Sequence, residues 1–462
     1  MSRPGTPENP LRVAIVGSGP SGFYATEALI KSGLSVKIDM LERLPAPYGL
    51  VRYGVAPDHA KLKQAIQLYD KIAEAGEFSY LGNVTIGRDV SVDELKNTHH
   101  AIIFTCGAES DRKLGVPGED LPGSYTATEF VGWYNGHPDY RNRSFDLSHE
   151  VAVIIGQGNV AADVARILAK TVDELKHTDI SQHALEVLAA SKIREIYVIG
   201  RRGPAQAKFT PKELREFGEL SACDPVVSAE DLVLNPASQQ ELEDKSNAGS
   251  VKIYQLFKEF AQRHGSAKNK RCHFKFLLSP VELAGQGKLQ SLTLEKNILQ
   301  GEAFNQVARG SGEKITMETG ILFRSIGYRG VPIAGAPFDE RKAIIPNIKG
   351  KVTDNNGAII PQLYAAGWIK RGPTGIIGTN RADSVETVES LLQDVAALDT
   401  SSPKAGMDGL LPLLRQRHIR YVTYSEWKKI DQHEIERGKI AGKPREKYTN
   451  IKEMLSVLDP QH

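Results

Sequence analysis

Leu11-Arg-Val-Ala-Ile-Val-Gly-Ser-Gly-Pro-Ser-Gly22 is the stretch whose reading decides the fold. Arg12–Val16 is a β-rich apolar run, and Gly17–Gly22 spells GxGxxG. Phe23–Lys31 reads as a helix and Val36–Leu41 as the next strand. A glycine turn set directly between a strand and a helix is the dinucleotide-binding fingerprint. Gly17 makes the turn, Gly19 lets backbone approach a pyrophosphate, and Gly22 lets helix and strand pack closely. The helix start, with its free N–H groups and positive dipole end, attracts the diphosphate. Glu42 closes the second strand, where a carboxylate bonds a ribose diol and repels a 2′-phosphate. This unit is therefore suited to FAD or NAD.

A second unit of the same kind begins at Val151. Val151–Ile155 is a strand, and Gly156-Gln157-Gly158-Asn159-Val160-Ala161 is GxGxxA ahead of a helix through Asp163–Ala169. Its next strand, Glu195–Ile199, ends in Gly200-Arg201-Arg202-Gly203 rather than in an acid. Paired guanidinium groups grip a phosphate through several donors and take the carboxylate's place when a 2′-phosphate must be bound. The alternative is a solvated surface pair. Read as cofactor ligands, Arg201 and Arg202 select NADPH over NADH, which leaves FAD for the first unit. The first half resumes near Ile326, with Leu363-Tyr-Ala-Ala-Gly367 as a later strand and turn. The expected fold is α/β, with two Rossmann-like domains. The NADP domain (109–324) is inserted into a discontinuous FAD domain (1–108 and 325–462).

Between these units, His59 to about Ala75 reads as a helix and Tyr80–Ile86 as a strand. Ser221 to Lys270 is polar and helix-prone. Phe274–Pro280, Gln290–Glu295 and Lys314–Phe323 look like strands of a meander, and Ser401–Gly409 like a linker into a polar helical tail.

Composition narrows the function classes. The 462 residues are 40% hydrophobic and 25% charged, an ordinary globular balance. A net charge of +2 is too small to make nucleic acid the main partner. Cys106, Cys223 and Cys272 are far apart and form no CxxC. A redox dithiol, a zinc knuckle and a cluster carried by this chain are therefore not expected. Sparse cysteines suit a reducing, cytosol-like compartment. Met1–Pro10 has neither an apolar core nor an Arg/Ser-rich amphipathic pattern. No run approaches a membrane span. A bacterial cytoplasmic protein is the expectation, with a processed mitochondrial form as the alternative.

Longer motifs are more specific. Gly49-Leu-Val-Arg-Tyr-Gly-Val-Ala-Pro-Asp-His59 closely resembles the loop after the FAD unit in adrenodoxin reductases and their bacterial ferredoxin–NADP reductase relatives. Phe130–Gly136, Val198–Pro204, Gly367–Gly375 and Gly442–Lys447 resemble that family too, in the same order. The resemblance implies a glutathione-reductase-like fold without the dithiol. It implies FAD, NADP(H) and a [2Fe–2S] or similar ferredoxin as partner, with hydride passing from NADPH to FAD and electrons then leaving singly. Trp368 stands where related flavoenzymes often carry an aspartate, which favours this narrower family.

By the same resemblance, Trp368, Gly375, Ile376 and Ile377 touch the flavin. Ser21, Glu42, Leu50 and Ile86 touch other parts of FAD. Gln157, Gly158, Asn159, Val160, Arg201, Arg202 and Glu213 contact NADP. His59 and Glu216 lie near flavin and nicotinamide as the expected groups for tuning or proton traffic, since a histidine exchanges protons near neutrality. His59 could instead only start a helix, and Glu216 could be one member of a charged helix face. No metal is required. Lys252, Lys258, Arg263, Lys268, Lys270 and Arg271 form the densest basic stretch, a docking face for an acidic ferredoxin or a solvated face. A monomer is expected. The competing readings are a general NADPH diaphorase or quinone reductase, and a nucleotide-binding flavoprotein subunit for assembly or sensing.

Overall fold

Leu11–Val16 lies inside an eight-stranded sheet, flanked by Ala101–Phe104 and Val36–Leu41. The run is apolar and buried except at Arg12, as a strand covered on both faces requires. In this computed structural model, residues 3–263, 268–398 and 403–459 are described. Outward from the centre, the order on one side is Ala101–Phe104, Ile359–Ala365, Lys351–Thr353 and Asn347–Ile348. On the other side it is Val36–Leu41, Phe78–Gly82 and Val422–Thr423. The five inner strands are parallel, and the pairings outside them are antiparallel. Register places the site. Val16 pairs with Leu41 and Phe104, and Phe104 with Ala365. The Gly17 turn, Glu42 and Gly367 therefore all leave the sheet at one carboxyl edge, beside the switch in strand order where ligands bind.

The second glycine turn repeats this plan in a six-stranded parallel sheet. Its order is Ser124–Thr126, Ile321–Arg324, Val151–Ile155, Glu195–Ile199, Lys270–Lys275 and Cys223–Val226. Ile155 pairs with Ile199 and Arg324, so Gly156, Gly200 and Ser325 emerge together. Every strand of this sheet comes from between the two halves of the first, so the second unit is an insertion. Where the chain crosses, Ser110–Asp111 pairs antiparallel with Tyr328–Arg329. Leu278–Ala284, Ser291–Gln300 and Val307–Glu318 form a separate antiparallel meander. Each large sheet has its own apolar core, around Phe23, Tyr69 and Trp427 in the first and Phe130, Trp133 and Phe323 in the second. No described helix is long and apolar enough to cross a membrane.

Several elements differ from the sequence reading. Phe274–Pro280 is not one strand: Lys270–Lys275 ends in the parallel sheet, Leu277 turns at φ 53°, and Leu278 opens the meander. Lys314–Phe323 likewise divides between the meander strand ending at Glu318 and Ile321–Arg324 of the parallel sheet. The polar stretch after Ser221 contains the edge strand Cys223–Val226 as well as helices Pro236–Glu243 and Ala248–Ala261. The expected helix from His59 is two shorter ones, Ala60–Lys63 and Ala65–Ala73, and the following strand is Phe78–Gly82. In the expected linker, Ser401 and Ser402 lie outside the described residues, as do Met1 and Ser2. From Met407 onward the linker is already helix Met407–Gln416.

Candidate functional site

Gly17 adopts φ 106°, and a Cβ there would sit 2.8 Å from the Thr105 carbonyl oxygen. A Cβ on Gly22 would sit 2.4 Å from the Gly17 carbonyl oxygen. Gly19 differs: nothing lies within 4 Å of its Cβ position. The first two glycines let chain pack on chain, while Gly19 faces an open cradle. Helix Pro20–Ile30 starts at Gly19 with no side-chain cap, so its dipole end is left for a ligand. Glu42 stands at the rim. Its Oε2 accepts from the Ser18 N–H (3.1 Å) and hydroxyl (2.7 Å), and its Oε1 from the Leu44 N–H (3.1 Å).

The distant Gly367 segment closes on the same turn. A Cβ on Gly367 would meet the Ser21 Oγ at 2.1 Å, and Ser384 Oγ donates to the Ser21 carbonyl (3.1 Å). Trp368 lies against Tyr328, with ring centroids 5.3 Å apart, and its indole N–H donates to the Thr374 carbonyl (3.1 Å). Ile376 is 65% exposed and Leu50 is 37% exposed, apolar surface of the kind that covers a flat ring system. Ile86 is buried, and Ile377 packs partly into the core.

In the second turn, Gly156 adopts φ 134°, and a Cβ there would sit 2.1 Å from the Ser325 carbonyl oxygen. Gly158, like Gly19, faces open space. Gln157 is turned away to donate to the Lys275 carbonyl (2.8 Å), and Asn159 Oδ1 accepts from the Thr210 N–H (2.8 Å). Arg201 and Arg202 have their backbone carbonyls fixed, by Asn297 Nδ2 (2.9 Å) and the Leu277 N–H (3.1 Å). Neither guanidinium forms an ion pair among the described residues. The groups present fit two dinucleotides: two open glycine cradles, a carboxylate beside one, and two guanidinium groups outside any ion pair among the described residues beside the other.

A buried charged cluster links the two units. His59 Nε2 lies 2.9 Å from Glu216 Oε2 and 3.5 Å from Glu213 Oε2. Burial works against protonation of this imidazole. The Glu216 hydrogen bond and the Glu213 and Asp58 charges outweigh both burial and the opposing Arg166, so its pKa is raised. Burial raises the Glu213 pKa, with help from Asp163, and that shift prevails over His59 and Arg166. For Glu216, burial is overcome by the His59 bond and the Arg166 charge, and its pKa is lowered. The donor atoms of His59, Glu213 and Glu216 converge within 4.8 Å, but the Arg166 guanidinium already supplies positive charge among them. The arrangement can hold and move a proton.

No family model matches the chain. It is 44% identical over 465 residues to the mitochondrial NADPH:adrenodoxin oxidoreductase of Salvelinus fontinalis, covering 98% of this chain and 92% of that protein. It is 42% identical over 463 residues to the NADPH-ferredoxin reductase FprA of Mycobacterium tuberculosis, covering 97% and 99%. The solved structure of Mycobacterium tuberculosis FprA in complex with NADPH superposes with a TM-score of 0.90 at 41% identity, over 97% of this chain and 99% of that one.

The chain belongs to the adrenodoxin reductase/FprA family. The fold expected of that family is the one observed. Within the site, the structure brings His59 and Glu216 into contact across 157 residues of sequence. Glu213, expected at NADP, faces His59 and Arg166. Arg166, Asp58 and Asp163 went unread in the sequence. The available signal was a pair of opposite charges, Asp163 and Arg166, within the otherwise apolar helix run Asn159–Ala169. The basic stretch is largely committed. Lys268 donates to the Leu220 carbonyl (2.7 Å), Lys270 to the Leu168 carbonyl (2.7 Å) and Arg263 to the Gly218 carbonyl (2.9 Å), and Arg271 pairs with Glu195.

Proposed function

We propose that this chain is a ferredoxin–NADP(+) reductase that binds FAD at the Glu42 turn and NADPH at the Arg201–Arg202 turn, and delivers single electrons to a ferredoxin-type iron–sulfur protein. The observation that carries the reading is the contrast at equivalent strand ends: a carboxylate beside one open glycine cradle, paired guanidinium groups beside the other. The names of the relatives support NADPH as reductant and a ferredoxin or adrenodoxin as partner. Bound flavin supplies the conversion of a two-electron hydride into single electrons. The chain supplies placement. Glu42 takes the ribose diol, Trp368 and Gly375–Ile377 border the ring, and Arg201 and Arg202 take the 2′-phosphate. His59 and Glu216 hold a proton between Nε2 and Oε2. The proposed division is FAD domain 1–108 and 325–462, NADP domain 109–324, acting as a monomer.

Stopped-flow reduction of the yellow holoenzyme by NADPH and NADH, side by side, tests this. The expected result is rapid bleaching by NADPH and slow bleaching by NADH, with salt weakening reduction of an acidic ferredoxin. A flavin indifferent to NADPH refutes the reading. Equal rates with quinones at every salt concentration favour a general diaphorase.

A further inference from the structure

Arg166 is fully buried on helix Asn159–Ala169, and its guanidinium faces five side chains. Nε and Nη2 donate as a fork to Asp58, at 2.7 and 3.0 Å. Nη2 also donates to Asp163 (2.7 Å) and Nη1 to Glu213 (3.2 Å). Nε lies 3.6 Å from Glu216 Oε2, and Nη2 lies 3.5 Å from His59 Nδ1. Lys170 completes the group at 2.7 Å from Asp58. Asp58 and His59 come from the loop that follows the first unit. Asp163 and Arg166 stand on the helix of the second glycine turn and Lys170 directly follows it, with Glu213 and Glu216 on helix Pro211–Glu216. One side chain thus spans both units.

A guanidinium has donors only. His59 Nδ1 faces this guanidinium at 3.5 Å and Asp163 Oδ1 at 3.9 Å. Asp163 Oδ1 is beyond hydrogen-bond reach and already accepts from Arg166 Nη2, so the guanidinium opposes an N–H on Nδ1 and leaves the ring proton on Nε2, toward Glu216. We propose that Arg166 is a positioning residue for hydride transfer: it locks the Asp58–His59 turn onto the nicotinamide-side helices and holds the His59 proton on Nε2 against Glu216. The proposal rests on the reading of His59 and Glu216 given above. With Asp58, Asp163, Glu213 and Glu216 ionised, Arg166 and Lys170 leave two uncompensated negative charges, and loss of Arg166 leaves three. His59 then keeps its proton to higher pH, because the main charge that opposes its protonation is gone.

The test compares R166Q, R166K, D58N and H59Q holoenzymes. It reads the His59 titration by NMR in ¹³C-histidine-labelled protein, with H59Q assigning the signal, and the pH profile of NADPH-driven ferricyanide reduction. In R166Q, the His59 midpoint rises by about one pH unit or more and kcat falls about tenfold or more, with the NADPH KM within about twofold. R166K keeps the charge, so its midpoint stays near wild type. It loses the fork, so kcat still falls. D58N keeps the guanidinium but removes a negative charge, and its midpoint moves down. If R166Q does not retain flavin, the opposite behaviours expected of R166K and D58N carry the test. An unmoved His59 midpoint in R166Q overturns the proposal, as does R166K matching R166Q in both readouts. If H59Q keeps the wild-type pH profile, the role of His59 falls instead, while its titration still reports on Arg166.

Discussion

At the residue scale, neighbouring glycines of one motif do different work, and substitution separates them. Gly156→Ala forces a Cβ to 2.1 Å from the Ser325 carbonyl oxygen, at a φ of 134° that side chains rarely adopt. It is expected to lower Tm by several degrees, as strained backbone does in thermal melts. Gly158→Ala meets no atom within 4 Å. It should leave Tm nearly unchanged, yet raise the NADPH KM about tenfold or more, because its methyl enters the pyrophosphate cradle. Equal effects on Tm would sink that division of labour. The arginine pair makes a second prediction. At about 1.5–3 kcal/mol for a hydrogen bond to a charged group, Arg201→Ala with Arg202→Ala should cut the NADPH-over-NADH ratio of kcat/KM by about 100-fold. An unchanged ratio would show that the guanidinium groups do not read the 2′-phosphate. The placement of both glycine turns, of Glu42 and of the arginine pair at strand ends was legible because each is local, within one βαβ unit. Arg166 was not, because its partner Asp58 meets it only after the two units fold together, and Glu213 reaches it from a separate helix of the second unit.

At the element scale, the strands that define each unit were readable from apolar runs beside glycine turns, and Val36–Leu41 and Glu195–Ile199 fall where expected. What failed was assigning short β runs to sheets. Lys314–Phe323 is continuous in β character, but Thr319-Gly320 ends one sheet's strand and Ile321 begins another's. Propensity carries no information about which neighbour a strand will find. Helix Tyr424–Ile440, in the C-terminal tail, shows the same limit. Its sequence is polar, yet Trp427 and Glu434 are fully buried. Glu434 accepts from Arg52 Nη2 at 2.6 and 2.8 Å, where Arg52 stacks over Trp427, and also from the Tyr448 N–H (3.0 Å) and Arg445 Nη1 (3.3 Å). Removing one member of a buried pair leaves the other uncompensated, at a cost of about 3–5 kcal/mol. Glu434→Gln is therefore expected to lower Tm markedly, and Arg52→Met with Glu434→Leu to recover part of the loss. A single variant as stable as wild type would mean that the helix is held by Trp427 and its apolar neighbours alone.

At the scale of the whole molecule, the tail ties the two units together. Lys443 donates to the Ile180 carbonyl (3.0 Å) and Glu446 accepts from the Gln182 N–H (3.0 Å), both on the inserted unit, while Arg445 joins Glu434 beside Arg52 of the first. At the centre, Lys447 and Lys63 share one carboxylate, Asp179, at 2.9 and 2.6 Å. Two ammonium groups on a single buried anion leave one charge in excess. Burial, only partly offset by Asp179, pushes the Lys447 pKa down to about 7. The unfolded chain keeps that proton to about pH 10.4. Between those values the unfolded state binds more protons, so this group makes stability rise with pH, by up to about 1.4 kcal/mol per unit. Below about pH 7 both states carry the proton and its slope vanishes. Lys447→Met removes the proton from both states and leaves Lys63 to pair Asp179. Comparing melts of wild type and K447M at pH 7.0 and 8.5 reads the Lys447 contribution, together with any change in Lys63, whose pKa burial also lowers, since cysteine and tyrosine titrations are common to both proteins. Wild type is expected to gain about 1–2 kcal/mol over the variant between the two pH values. Parallel pH dependence would show that Lys447 stays charged, and that the fastening is an ion pair rather than a titrating latch.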